Sequence, residues 1–316
     1  MDNFIYSINA TIPVFLVMLI GYWLKHKNIL DEHFAAKANT FNFYITLPAL
    51  LFQDIGQTDM RSNFDLKYVL FCAIVTSICF WGVWAISKIF IKNDEIRGAF
   101  VQGSFRGSAA VFGIAFIVNI YGRSGMAPLM IIGAVPLYNI YSVIVLTFES
   151  ADAQKGNGSL KKACINILKN PILISILVAS IFSLTGLYGK LPFLVTKTIG
   201  NFASLASPLA LVCIGVTFEG RKALKKIKPT ICAALYKLVL QPAIFLPIAI
   251  TMGFTGEKLI ALIIMLGSPT TPSCYIMAKN MKNDGILTSS IVVLTTLLSA
   301  ITLTFWIFIV KTLGYL

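Results

Sequence analysis

Arg106 stands inside an apolar stretch, in the run Gln102-Gly103-Ser104-Phe105-Arg106-Gly107-Ser108-Ala109, where a lipid-facing helix would carry leucine. A guanidinium at the centre of a bilayer costs about 2.5–3.5 kcal/mol even on insertion scales, so it needs a counter-group or a wet cavity. Its planar fork of donors suits two-point contact with a carboxylate. The purely structural use would be pairing with helix-end carbonyls or with a nearby acid. A second run, Gly267-Ser268-Pro269-Thr270-Thr271-Pro272-Ser273, places two prolines three residues apart. Each removes a backbone N–H and clashes with the preceding turn, so the helix must break there. Broken backbone at membrane depth survives only where it is buried in protein or lines a cavity. The two runs therefore mark either a polar site or a pair of packing kinks.

After each break a new half-helix begins near the midplane. One starts at about Ser108, whose hydroxyl can cap it; the other starts at about Pro272, with Thr271 as cap and proline at the first helical position. Each N-terminus carries roughly half a positive charge, so the pair favours an anion. The candidate binding residues are Arg106, Gly107, Ser108, Ser268, Pro269, Thr270, Thr271, Pro272 and Ser273. Asn42, Tyr138, Asn139 and Tyr141 either line the same site or bridge helices. Lys237 lies deep in another apolar span, where it supports the site, snorkels or pairs internally. Asp54, Glu149 and Glu219 fall near span ends and read as solvated charges, with Asp54 a candidate for coupling. His26 and His33 fall in a loop. The six cysteines show no CxxC or CxxH spacing, so neither a metal site nor a disulfide framework is expected.

The elements that position these residues are transmembrane helices. Of the 316 residues, 57% are hydrophobic and only 12% charged, against about a quarter charged in soluble proteins. Crossing the hydrocarbon takes about 20 residues at 1.5 Å rise each. Ten stretches meet that length: 5–24, 38–56, 67–88, 98–121, 126–148, 170–188, 194–218, 230–253, 258–279 and 286–310. The first reads as a helix rather than a cleaved signal, since no basic segment precedes it. Of the 26 basic residues, 17 lie in one alternate set of loops and 7 in the other, which places both termini outside the cytosol. The net charge of +13 is thus topology and contact with anionic lipid, and nucleic acid is not an expected partner.

A hydrophilic connector, 150–169, separates residues 1–149 from residues 170–316, and features recur about 160 residues apart across it. Lys37 and Pro48 match Lys197 and Pro208, and Gly103-Ser104 matches Gly267-Ser268, with Gly125 and Gly285 ending the turns that follow. Five spans per half is odd, so the second half enters the membrane from the opposite side. The expected fold is an all-α membrane protein of ten helices in two inverted five-helix repeats, an arrangement typical of carriers. There is no HExxH, no GxSxG and no pair of mid-span aspartates, so the residues of an intramembrane enzyme are missing. A channel remains an alternative, because broken helices also line pores.

The run Ser268-Pro269-Thr270-Thr271-Pro272-Ser273-Cys274-Tyr275-Ile276-Met277-Ala278-Lys279, followed by Asp284-Gly285 and Thr295-Thr296-Leu297-Leu298-Ser299, resembles the auxin efflux carrier family in its bacterial organic-acid permease branch. Phe105-Arg106-Gly107-Ser108 with Phe112-Gly113-Ile114 is similar to that family's fourth span, and Asn42 to Pro48 to its second. The resemblance implies fourth and ninth helices that cross, a scaffold of helices one, two, six and seven, an elevator-like remainder, and a carboxylate held at the crossing. The expected partners are a small organic anion, the bilayer, and a second copy of the chain through the scaffold; no cofactor is expected. The bile-acid sodium symporters share a similar architecture and stand as the runner-up. Sodium on backbone carbonyls, a proton on an end-lying acid, and the membrane potential all remain open as driving forces.

Overall fold

A computed structural model of the protein describes residues 2–57, 65–109, 126–150, 165, 168–218 and 220–316. Every regular element among them is helical. In chain order these are α1 Asp2–His26, α2 Glu32–Phe41, α3 Leu47–Gly56, α4 Leu66–Phe90, α5 Asp94–Phe105, α6 Ala127–Phe148 and α7 Pro171–Thr185. There follow α8 Phe193–Thr217, α9 Gly220–Lys225, α10 Ile227–Leu235, α11 Gln241–Thr251, α12 Gly256–Gly267, α13 Ser273–Asn280 and α14 Gly285–Thr312. A π-helical turn, Asn42–Thr46, joins α2 to α3, and another, Tyr236–Leu240, joins α10 to α11.

Five helical runs are long and apolar enough to cross a bilayer: Leu66–Phe90, Ala127–Phe148, Phe193–Thr217, Ile227–Thr251 and Gly285–Thr312. Shorter apolar stretches, Phe15–His26 and Pro171–Thr185, lie in α1 and α7. The long runs are apolar on both faces, as a helix between protein and lipid must be. On α4, Leu70, Ile74, Ile78 and Trp81 are exposed at helical spacing, while Cys72, Val75, Cys79 and Phe80 are buried. Several helix starts are capped by side chains. Asp65 accepts from the Tyr68 amide, Asn93 from that of Ile96, Asn170 from that of Ile172, and Asp284 from that of Leu287. Each satisfies one amide that the first turn leaves without a partner. At the end of α7, Gly186 takes the left-handed conformation, φ 68°, that closes the helix.

Small residues set the tightest approach. A Cβ on Gly21 of α1 would lie 2.4 Å from the Val212 carbonyl oxygen, and one on Gly215 of α8 would lie 2.0 Å from that of Met18. Reciprocal glycines thus let α1 and α8 pack backbone to backbone, the usual way membrane helices associate without a hydrophobic drive between them. α8 also packs on α3, and α3 on α7. Elsewhere α4 packs on α5 and α6, and α14 reaches α1, α5, α10, α12 and α13.

Glu149 corrects an expectation. It is buried, not solvated, because Trp84 Nε1 and Arg97 Nη1 both donate to its carboxylate at 2.6 Å, from α4 and α5 respectively. Gly125, Glu219, Phe112-Gly113-Ile114 and nearly all of the 150–169 connector lie outside the described residues.

Candidate functional site

The two interrupted helices meet. α5 ends at Phe105, and Arg106 turns out of the helix at φ −89°, ψ 122°, before helix resumes at Ala109. α12 ends at Gly267, and Ser268 turns out at φ −66°, ψ 151°, with helix resuming at Ser273. The Ser108 amide donates to the Pro269 carbonyl at 2.8 Å, and the Thr270 hydroxyl donates to the Gly103 carbonyl at 2.7 Å. Gln241 Nε2 supplies the Ser104 carbonyl at 3.0 Å, and the Thr270 amide finds the Thr295 hydroxyl at 3.0 Å. Backbone groups freed at each break are thus satisfied by the other break or by Gln241 of α11 and Thr295 of α14, as burial away from water demands. Gly107 is what permits this closeness. A Cβ there would lie 2.5 Å from Ser268 Oγ and 2.9 Å from Lys237 Nζ.

Two cations are buried at this junction. Arg106 is 4% exposed and Lys237 0%. Arg106 Nη2 donates to Asn139 Oδ1 and to Ser273 Oγ, each at 2.8 Å; Nη1 reaches Ser142 Oγ at 3.4 Å and Met277 Sδ at 2.7 Å. Lys237 Nζ donates to the carbonyls of Leu266 at 2.7 Å and Met265 at 3.0 Å, and to Gln241 Oε1 at 3.3 Å. Among the described residues no carboxylate forms an ion pair with either side chain. All their partners there are neutral. Ser268 Oγ and Gln102 Oε1 are buried at the same junction and have no hydrogen-bond partner among the described residues.

The structure thus brings together Arg106, Gly107, Ser108, Ser268, Pro269, Thr270, Ser273, Asn139 and Lys237. Thr271 does not cap α13 through its side chain as expected. Pro272 already has helical dihedrals, φ −56° and ψ −26°, the Thr271 hydroxyl sits 3.2 Å from Ser273 Oγ, and it is the Thr271 carbonyl that receives the Cys274 amide. Asn42 is fully buried in the first π turn and donates to the Ala206 carbonyl of α8 at 3.3 Å, tying α2 to α8. Asp54 lies half-buried in the last turn of α3, which packs on α7 and α8. Tyr138 donates to the Met265 carbonyl at 3.1 Å, and Tyr141 pairs with Ser77 Oγ at 2.9 Å.

Gln241, Ser142 and Thr295 were not singled out as binding residues. For Gln241 the available signal was its place four residues after Lys237 in an apolar span, which puts both on one helix face. Ser142 had a comparable signal, three residues after Asn139.

The family described as membrane transport protein matches residues 6–307. An uncharacterised transporter of Methanocaldococcus jannaschii is 21% identical over 303 residues, 94% of this chain and 97% of its own length. One of Escherichia coli is 24% identical over 280 residues, 87% of this chain and 88% of its own. A candidate malonate transporter of Rhizobium meliloti is 23% identical over 309 residues, 95% of this chain and 94% of its own. These relatives are transporters, not enzymes.

Proposed function

The chain belongs to the membrane transport protein family, that of the auxin efflux carriers, and from this premise we propose that it is a secondary carrier moving a small organic anion, a mono- or dicarboxylate, across the cytoplasmic membrane by alternating access. The observation that carries the reading is the pair Arg106 and Lys237, buried where two broken helices meet and bonded there to neutral groups. Buried charge is costly unless compensated, and a carboxylate arriving at the crossing supplies the missing opposite charge. The relative named for malonate supports a substrate of that class.

A carrier is favoured over a channel because the breaks are bonded directly to each other, through Ser108 to Pro269 and Thr270 to Gly103, so one cannot shift without disturbing the other. The ten-helix inverted repeat, with halves 1–149 and 170–316 and both termini extracytoplasmic, is the topology we assign. It makes α5 and α12–α13 the two equivalent broken helices. A second copy of the chain is assigned to the face of α1, α3, α7 and α8, the scaffold helices.

A panel of mono- and dicarboxylates tests the reading by thermal stabilisation of purified protein and by uptake into proteoliposomes. At least one should raise Tm and show saturable flux. A panel that neither stabilises the protein nor crosses the vesicle membrane would overturn it.

A further inference from the structure

The Lys237 ammonium donates to three oxygens, one of which, the Met265 carbonyl, also accepts from the Tyr138 hydroxyl at 3.1 Å. Two of the three are the carbonyls of Met265 and Leu266, at 3.0 and 2.7 Å, and the third is Gln241 Oε1 at 3.3 Å. The two carbonyls belong to the last turn of α12, which ends at Gly267 in front of the Ser268–Pro272 break. Carbonyls of a last turn lack donors within their own helix and form its negative end. In carriers with discontinuous helices, such half-helix C-termini and unwound carbonyls are the places where a coupling sodium is held. Here the cation comes with the chain. Lys237 lies in the π turn Tyr236–Leu240, and its side chain is fully buried. Gln241 is the first residue of the next helix, so the cage draws on two separate elements.

Two further observations point to a site built for one positive charge. The oxygen distances, 2.7–3.3 Å, are those at which an ammonium donates to carbonyls, and the carbonyl rings of potassium-selective filters coordinate a free ion with the same type of oxygen. Ser268 Oγ is buried, has no hydrogen-bond partner among the described residues, and crowds the same side of Gly107 as Lys237 Nζ, so a further polar oxygen is at hand.

We propose that the Lys237 ammonium is a tethered replacement for a coupling metal cation, so that the carrier binds and moves its anion without sodium or potassium. Independence of flux from these ions rests on the anion-carrier reading above. Occupancy of the cage does not, and the experiment separates the two.

Purified full-length protein and its Lys237→Ala variant are melted in choline chloride, NaCl, KCl and ethylammonium chloride at equal ionic strength, and wild-type flux is measured with choline in place of sodium and potassium. Wild-type Tm should be the same in all four salts. Lys237→Ala should be less stable in choline and regain about 2–4 °C in at least one of the smaller cations, since a ligand that binds only the folded state stabilises it. Wild-type flux should persist in choline. Sodium or potassium raising wild-type Tm as it raises that of the variant would overturn the proposal, as would a folded Lys237→Ala that responds to none of the cations. Should the alanine variant fail to fold, wild-type protein still decides: flux lost in choline refutes the replacement. If no carboxylate is carried at all, the anion-carrier reading fails while the melting arm still tests the cage.

Discussion

Replacing Arg106 by glutamine removes one buried charge and keeps most of the side-chain volume. In the protein the guanidinium makes two bonds at 2.8 Å, to Asn139 Oδ1 and Ser273 Oγ, and a longer one at 3.4 Å to Ser142 Oγ. A bond from a charged donor contributes about 1.5–3 kcal/mol, so losing a single such contact to a bound carboxylate lowers affinity by roughly ten- to a hundredfold. Direct attraction between unit charges about 4 Å apart at an effective dielectric near 20 is about 4 kcal/mol, which sets an upper bound near a thousandfold. Stability should respond differently. Losing the bonds to Asn139 and Ser273 leaves polar atoms unsatisfied, at about 1–3 kcal/mol each, while removing a buried charge that lacks a carboxylate relieves a desolvation cost of similar size. The two effects oppose each other, so Arg106→Gln should lose affinity steeply and Tm only slightly. Arg106→Lys should fall between, keeping the charge without the fork. The assay is titration of the stabilising carboxylate against purified wild-type and variant protein, by calorimetry and by Tm. A purely structural arginine predicts the reverse, low Tm with intact affinity. Folded Arg106→Gln with wild-type affinity would refute the reasoning.

Gly107→Ala places a Cβ 2.5 Å from Ser268 Oγ and should cost about 1–3 kcal/mol of stability together with most of the flux, whereas Gly82→Ala, whose Cβ would meet nothing within 4 Å, should cost neither. Equal Tm and flux for both variants would show that the breaks do not depend on close approach. Pro269→Ala and Pro272→Ala each restore a backbone donor and favour helix across the break, against the bonds that join the two breaks, so uptake should fall more than expression; unimpaired uptake in both would reduce the break to a packing kink. A cysteine at Gly158, within the connector, should resist an impermeant thiol reagent applied to intact cells, and ready labelling there would contradict the assigned orientation.

The broken helices were legible because their causes are local. Pro269 and Pro272 act on their own turn, and Arg106 and Lys237 stand out because an apolar stretch offers a charge nothing to pair with. Their partners were not legible to the same degree. Ser142, Gln241 and Thr295 look like ordinary hydroxyls and amides within spans, and each earns its role only from a contact 25 to 137 residues away in sequence. Glu149 was misread for the same reason. Its nearness to a helix end suggested solvent, and only tertiary structure brings Trp84 and Arg97 onto it. The π turns at Asn42–Thr46 and Tyr236–Leu240 carry no mark of their own beyond the prolines that follow, Pro48 and Pro242.

What could not be read from either run alone is that each break completes the other. Straightening α5 through Arg106 would withdraw the Ser108 amide from the Pro269 carbonyl and the Gly103 carbonyl from the Thr270 hydroxyl. The groups left behind on the α12–α13 break would then be buried and unpaired. Neither helix can therefore close while the other stays open, because the cost falls on the partner as well. Substitutions at Gly103, Gly107, Pro269 and Thr270 should for that reason couple in double-mutant cycles by about 0.5–3 kcal/mol, as residues sharing one hydrogen-bond network do. Under the alternating access proposed above, such coupling would matter: a conformational change that moves one break must move both, so the buried charges would travel with the crossing as one body.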